Sequence, residues 1–484
     1  MCSVFCPFHI GVRYRIWLLL ILCFSAARLT AQPAAPVYVD TICIEGNRHT
    51  RSNIILRELP FKKGDSCQVS ELNGWFEESK RALMNTMLFQ EVVVTAARVF
   101  LPIQEGVPGV NPVDRIQVKV RVRERINIYP VFFVEPIDRN LNQWLFEQRA
   151  SLDRVNFGAQ LLLNNTTGRA DRTIATLYQG YTEQLALSYE LPYLGKQLKW
   201  GLRVGFSVGR NKEVNVATVN DKQVFLRDSD RFIRHFEQVF GELQYRPRIN
   251  TRHSFGVQWM QDRVADTVRL RNPDYYPKGV SRLRYPRLQY TLNYQRVDYL
   301  PYPTKGPLAQ LQVARSGIGS AISMWEVHAK AMMLWPIAPK WSWAWGVYAG
   351  WKSPSDQPFM NRRFLGYGTQ FLSGYEYNVV DGLSGGLTRV MLTRQWVHHT
   401  IRIHYHRKKE PMRIPVRFMS RAFMQAGYVY DPEVPVGGKL ANQWQYSGGL
   451  GLDLLLFYDV LFRLEYSVNR FGENGLFLHR KYPY

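Results

Sequence analysis

The spacing of apolar positions changes once along the chain, near Ile126. Before it, strand and helix periods follow one another; after it, a period of two persists to the end. Val37 to Glu45 reads as a first strand, with turn chemistry in Gly46-Asn47. A short helix is expected from about Arg51 to Leu59, where Pro60 stops it. After the loop Lys63-Gly64-Asp65, Ser70 is the expected N-cap of a helix carrying Leu72, Trp75, Phe76, Leu83 and Met87 on one face. Val92 and Val94 mark the next strand. Ile116, Val118, Val120 and Val122 then alternate with Arg115, Gln117, Lys119, Arg121 and Arg123, which predicts a half-buried strand with a cationic outer face.

Beyond Ile126, Trp200, Leu202, Val204, Phe206 and Val208 alternate with Gly201, Arg203, Gly205, Ser207 and Gly209. Leu288 to Tyr294, Trp341 to Trp351 and Phe462 to Val468 repeat the pattern. A soluble sandwich also alternates, but its strands run about five or six residues and its polar face meets bulk water. Here the segments run about ten residues, the length that crosses a bilayer at the usual tilt. Their polar face is Gly, Ser, Gln, Asn and Arg, which suits a crowded wet lumen, and aromatics gather on the apolar face and at strand ends. Roughly 359 residues at about 22 per strand and connection predict roughly sixteen strands. Closure is required, because an open edge in lipid leaves backbone groups unpaired.

Composition adds an address. Arg13 and Arg15 precede an apolar run from Ile16 to Ala27 and the small-residue site Leu29-Thr30-Ala31, the pattern of a secretory signal peptide over residues 1–31, followed by a Pro/Ala linker over 32–36. The chain carries 62 Lys plus Arg against 39 Asp plus Glu, and loss of Arg13, Arg15 and Arg28 with the signal still leaves about +20. Nucleic acid is not the expected partner of that charge, since no basic helix or aromatic RNA-binding strand accompanies it; anionic lipid or lipopolysaccharide at the loops explains it more simply. Only Cys43 and Cys67 remain in the exported chain, so one disulfide and two free thiols both stay open. His398, His399, His404 and His406 cluster, but no carboxylate or Cys completes a metal site, and a basic strand end running to Arg407-Lys408-Lys409 is the plainer reading. No nucleophile elbow, zinc-protease or phosphate-loop motif occurs, so neither an enzyme nor a cofactor is expected.

Together the pieces resemble the superfamily of bacterial surface antigens that assemble or translocate proteins at the outer membrane, a POTRA domain followed by a BamA- or TamA-like barrel. The resemblance rests on Ile44-Glu45-Gly46-Asn47, Lys63-Gly64-Asp65 and Leu88-Phe89 in the small domain. In the barrel it rests on Asp298 with Tyr302-Pro303-Thr304-Lys305-Gly306, on Tyr446 to Gly451, and on Phe462 to Tyr466. Arg363-Phe364 leading to Leu372, Ser373, Gly374 and Tyr375 resembles the family's inward-folded loop, with Ser373 where the family has Arg; an ordinary turn in a surface loop is the other reading.

The resemblance implies a POTRA domain over 37–125 in the periplasm and an outer-membrane barrel over 126–484. It implies insertion or translocation of unfolded outer-membrane or secreted proteins, with periplasmic or lipoprotein accessory subunits as further partners. A passive pore or receptor with a docking domain is the alternative. Arg115, Lys119, Arg121 and Arg123 are candidates for a client-binding edge or for a merely solvating face. Leu476, Leu478, Tyr482 and Tyr484 share the parity of a closing strand, whose end is either a weak seam or a frayed terminus.

Overall fold

A computed structural model describes residues 36–99, 114–136, 144–145, 149–277, 280–403, 412–457 and 459–479. The expected signal peptide, most of the expected linker, His404, His406, Tyr482 and Tyr484 lie outside the described residues. Four strands form a first sheet: β1 (Val37–Glu45), β2 (Ser66–Cys67), β3 (Phe89–Val99) and β4 (Arg115–Glu124), in the order β2-β1-β4-β3. Helices span Ser52–Arg57 and Val69–Asn85. The second begins one residue before Ser70, and the Gln68 amide is held by the Glu71 carboxylate at 3.1 Å. Ser70 is therefore inside the helix and does not cap it. Met87 has already left it, with φ at +64°.

Sixteen strands form one antiparallel sheet in simple up-and-down order. They are β5 (Ile128–Pro136), β6 (Val155–Asn164), β7 (Arg172–Gly180), β8 (Thr182–Leu194), β9 (Trp200–Asn211), β12 (Arg234–Arg248), β13 (Thr251–Val264), β14 (Arg282–Gln295), β15 (Gly306–Ser316), β16 (Met324–Ala338), β17 (Trp341–Ser353), β20 (Ser384–Ile403), β21 (Met412–Tyr430), β22 (Gln445–Leu456), β23 (Val460–Asn469) and β24 (Asn474–His479). Two small hairpins sit in the connections, β10 (Glu213–Val219) with β11 (Lys222–Arg227), and β18 (Arg363–Leu365) with β19 (Val380–Asp381).

The wall is inside out relative to a soluble protein. Along β23, Phe462, Leu464, Tyr466 and Val468 are exposed while Arg463, Glu465 and Ser467 are buried. Trp200, Leu202, Val204, Phe206 and Val208 are likewise exposed on β9. Only a lipid-facing exterior makes that distribution stable, since it removes apolar surface from water at about 25 cal/mol per Å². The sixteen strands of the wall range from 6 residues in β24 to 20 in β20, broader than the ten expected from alternation.

By packing, the chain separates into two compact units. One comprises the described residues up to Cys43 with Phe61–Phe76 and Thr95–Lys119; the other comprises Ile44–Pro60, Glu77–Val94 and Val120 onward. In the first, Val37, Val39, Phe61, Cys67, Ile116 and Val118 are buried, and Phe61 stacks on Trp75 at 5.1 Å. Cys43 and Cys67 are both free thiols, and burial pushes the Cys67 thiol above its ordinary pKa. In the second unit, a core of Val214, Val216, Ile233, Val268, Tyr276 and Leu283 with their neighbours knits the loops at one end of the barrel together. The β10–β11 hairpin belongs to this cap, tied by a buried Arg154–Glu213 pair at 2.6 Å.

Candidate functional site

The connection from β17 to β20 turns inward. Lys352 Nζ donates to the carbonyls of Asn361 and Arg363, and the β18–β19 pair closes the base of the loop. Leu372, Ser373 and Tyr375 are buried, and Gly374 takes φ +88°, a left-handed turn that favours glycine. Each polar grip on this segment comes from the barrel's later part. Arg389 on β20 donates to the Phe371 carbonyl at 3.3 Å and Gln425 on β21 to that of Ser373 at 3.0 Å. The Tyr375 hydroxyl donates to the Tyr446 carbonyl on β22, and Asn469 on β23 donates to the Gly374 carbonyl at 2.9 Å. Glu376 accepts the Gly374 amide at 2.7 Å and faces His479 of β24 at 3.6 Å. The segment is thus a buried turn held inside the wall, not an ordinary surface turn.

Ser373 carries no charge, and the acids of the neighbouring wall are matched without it. Arg463 forks onto Asp453 at 2.8 and 3.0 Å, and Arg421 bonds Glu465 at 2.5 Å and stands 3.5 Å from Asp453. Tyr302 donates to Asp453 at 2.8 Å. All four charged side chains are almost fully buried, and the group sums to zero charge. Two strand arginines thus balance two strand carboxylates, and the loop is held by amide and carbonyl bonds instead. Sequence reasoning placed Arg463 and Glu465 on the polar face of the closing segment but gave none of the four a role. The signal was present, since charges at the inward parity of β21, β22 and β23 can persist only when paired.

At the opposite end, turns of the barrel meet segments 44–60 and 77–94 within the second unit. Glu58, fully buried, accepts both Arg246 guanidinium nitrogens at 2.6 and 2.8 Å and the Tyr193 hydroxyl at 2.7 Å. Arg57 donates to the carbonyls of Leu198 and Arg246, while burial and the nearby Arg246 charge hold its pKa below the usual arginine value. Asn85 exchanges hydrogen bonds with Val297 and Leu300, each at 2.9 Å. A cavity of about 780 Å³ opens beside them, lined by Arg81, Glu124, Tyr129, Arg172, Arg252 and Asp459 among others.

The cationic strand is not an edge. β4 lies between β1 and β3, so its backbone is used on both sides, and among the described residues the long edge of that sheet is β3. Arg115 pairs with Asp40 at 3.4 Å and Arg121 with Glu45 at 3.2 Å, and Lys119 and Arg123 also have partners. Alternation reports which face a residue occupies but not which strands flank it, which is why the sequence placed an edge here. Leu476 and Leu478 are exposed on the outer face of β24. Of the four histidines, His398 and His399 are exposed on β20.

The apolar exterior, charged interior and inward loop belong together on sixteen strands, and the sequence over residues 165–468 matches the Omp85 superfamily domain. The chain belongs to the Omp85 superfamily. Residues 37–125 match a POTRA repeat described as a surface antigen variable number repeat. The fold is similar to that of BamA from Haemophilus ducreyi lacking POTRA domains 1-3, with 16% identity and TM-score 0.50 over 91% of this chain and 83% of that one. It is also similar to CdiB from Acinetobacter baumannii, with 10% identity and TM-score 0.50 over 91% and 73%. No curated protein matches the sequence significantly. This Omp85 protein is an outer-membrane barrel with its POTRA domain in the periplasm, so the turns that meet Glu58 and Asn85 lie on the periplasmic side and the apolar loop cap on the outer side.

Proposed function

We propose that this Omp85 protein inserts or exports unfolded proteins at the outer membrane by templating strands, first at the edge of β3 and then at the seam between β5 and β24. The observation that carries the reading is the Omp85 match on a wall whose apolar face is outward. An edge strand offers a row of backbone donors and acceptors, and an extended client completes it at no cost in new side-chain geometry. The cavity beside Glu124 and Tyr129 lies where a client passing from the POTRA side would meet the first barrel strand. Outer-membrane lipid surrounds the wall, lipopolysaccharide meets the outer loops, and accessory subunits dock in the periplasm.

The passive pore is the weaker reading, because the outer loops share a buried core of their own and the inward turn fills part of the lumen. Depletion in the native cell separates the two. Loss of other barrel proteins or of a secreted protein supports insertion or export. Loss of a single solute's uptake with the other barrel proteins intact refutes it.

A further inference from the structure

The β20–β21 hairpin outruns its neighbours. β17 pairs with β20 only as far as Trp341 opposite Arg394, with a last backbone bond from Gln395 to Lys340. β22 pairs with β21 only as far as Leu456 opposite Val416. β20 and β21 nevertheless stay paired to Ile403 opposite Met412. Because β20 runs antiparallel to β17, this two-stranded ribbon projects on the periplasmic side. Every residue from Trp396 to Arg402 is exposed, whereas on β21 Ile414 is buried and Pro415 to Phe418 are half-buried, so the solvated part of the ribbon is its β20 strand.

Its base is fixed. A bulge between Gln395 and Val397 places Trp396 where its ring nitrogen donates to Ser420 at 2.8 Å, and Arg394 stacks over that ring at 3.8 Å. Beyond the bulge the register sorts residues by face. Val397, His399 and Ile401 stand opposite Phe418, Val416 and Ile414; His398, Thr400 and Arg402 stand opposite Arg417, Pro415 and Arg413. One face is largely apolar and the other basic. From Arg394 to Arg417 the sequence has seven Lys or Arg and one acid; among the described residues no carboxylate pairs with Arg394 or Arg402, while Arg417 lies over the Tyr299 ring at 4.9 Å.

We propose that the β20 edge from Trp396 to Arg402 receives an extended polypeptide in which acidic residues alternate with apolar ones. Two features of the ribbon ask for the same occupant. Its outer edge has no strand partner among the described residues, and among those residues no carboxylate pairs with the exposed Arg402. An added strand satisfies both, with acidic side chains beside His398, Thr400 and Arg402 and apolar ones beside Val397, His399 and Ile401. Anionic lipid head groups would meet the charge but leave the edge unpaired. The inference stands apart from the insertion reading, because peptide binding is scored without any client being inserted.

The test uses the full-length protein in detergent micelles, with fluorescein-labelled (Glu-Val)4 and (Lys-Val)4 peptides read by anisotropy and hydrogen exchange read across 396–402. The acidic peptide is expected to bind at least about tenfold more tightly than the basic one and to slow exchange along the β20 edge. Arg402→Glu should weaken binding roughly fivefold, Arg402→Gln less, and Arg315→Glu at the far end of the barrel should change nothing. Heat-modifiable mobility confirms that each variant is folded. Equal binding of the two peptides, binding without amide protection, or indifference to both Arg402 substitutions overturns the proposal. Displacement of the peptide by phosphatidylglycerol without amide protection assigns the ribbon to lipid and overturns it as well.

Discussion

Glu58 offers the sharpest test of how the short helix at Ser52–Arg57 is held to the barrel turns. Its carboxylate is fully buried and satisfied by a forked Arg246 and the Tyr193 hydroxyl, while Arg246 also donates to the Ile249 carbonyl. Glu58→Ala removes the acceptor and strands a guanidinium whose side chain is only 13% exposed. Breaking one partner of a buried pair costs about 3–5 kcal/mol, and the residual exposure and the Ile249 bond place this case near about 3. Tyr193→Phe removes one neutral donor to a charge and should cost about 1.5 kcal/mol. Hydrogen exchange over residues 44–60 is the assay, since the loss falls on local opening. A cost of about 3 kcal/mol speeds exchange there by about two orders of magnitude. A double-mutant cycle of Glu58→Ala with Arg246→Met should return a coupling above about 2 kcal/mol. Exchange within a factor of three of the parent, or a coupling near zero, would refute the assignment of the lock to this pair.

Four further outcomes follow from the same geometry. Phe206→Arg puts a charge on the lipid face and should cost about 2–4 kcal/mol near the midplane, read by urea unfolding in bilayers; normal folding contradicts the outward assignment. Arg463→Met leaves Asp453 with Arg421 at 3.5 Å and Tyr302 as its remaining neighbours, so it should lower the thermal midpoint more than the paired change Arg463→Met with Asp453→Leu. Gly374→Ala forces a Cβ into a left-handed turn with Asn469 Cβ 3.3 Å away, and should raise protease cutting in the loop by costing more than about 1 kcal/mol. Burial raises the Cys67 pKa and so lowers its thiolate fraction at any given pH; alkylation at Cys67 should lag behind that at Cys43 near pH 8 and gain on it as pH rises, which mass spectrometry of the labelled thiols measures.

The barrel was legible because its signal is local and repeated. Every lipid-facing residue on β9 and β23 is announced by alternation, and the small sheet's Ile116, Val118, Val120 and Val122 are buried as their spacing requires. Contacts between distant residues were not legible. Glu58 meets Arg246 across 188 positions and Thr50 meets Asn165 across 115, and no periodicity encodes either. The inward turn was visible as Leu372 to Tyr375, but the residues that hold it were not, because Gln425 and Asn469 look like any polar lumen residue until the loop is in place. Ser373 became intelligible only once Arg421 and Arg463 were seen to neutralise Glu465 and Asp453.

Among the described residues, the polar grips on Phe371 to Glu376 include one from each of β20, β21, β22, β23 and β24, and the Arg470 amide just past β23 also donates to the Tyr375 hydroxyl. A turn fastened that way acts as a brace across five adjacent staves, which then move as a single panel. If the cylinder parts beside β24, the panel swings with its brace attached, and the bending falls on staves the brace does not reach.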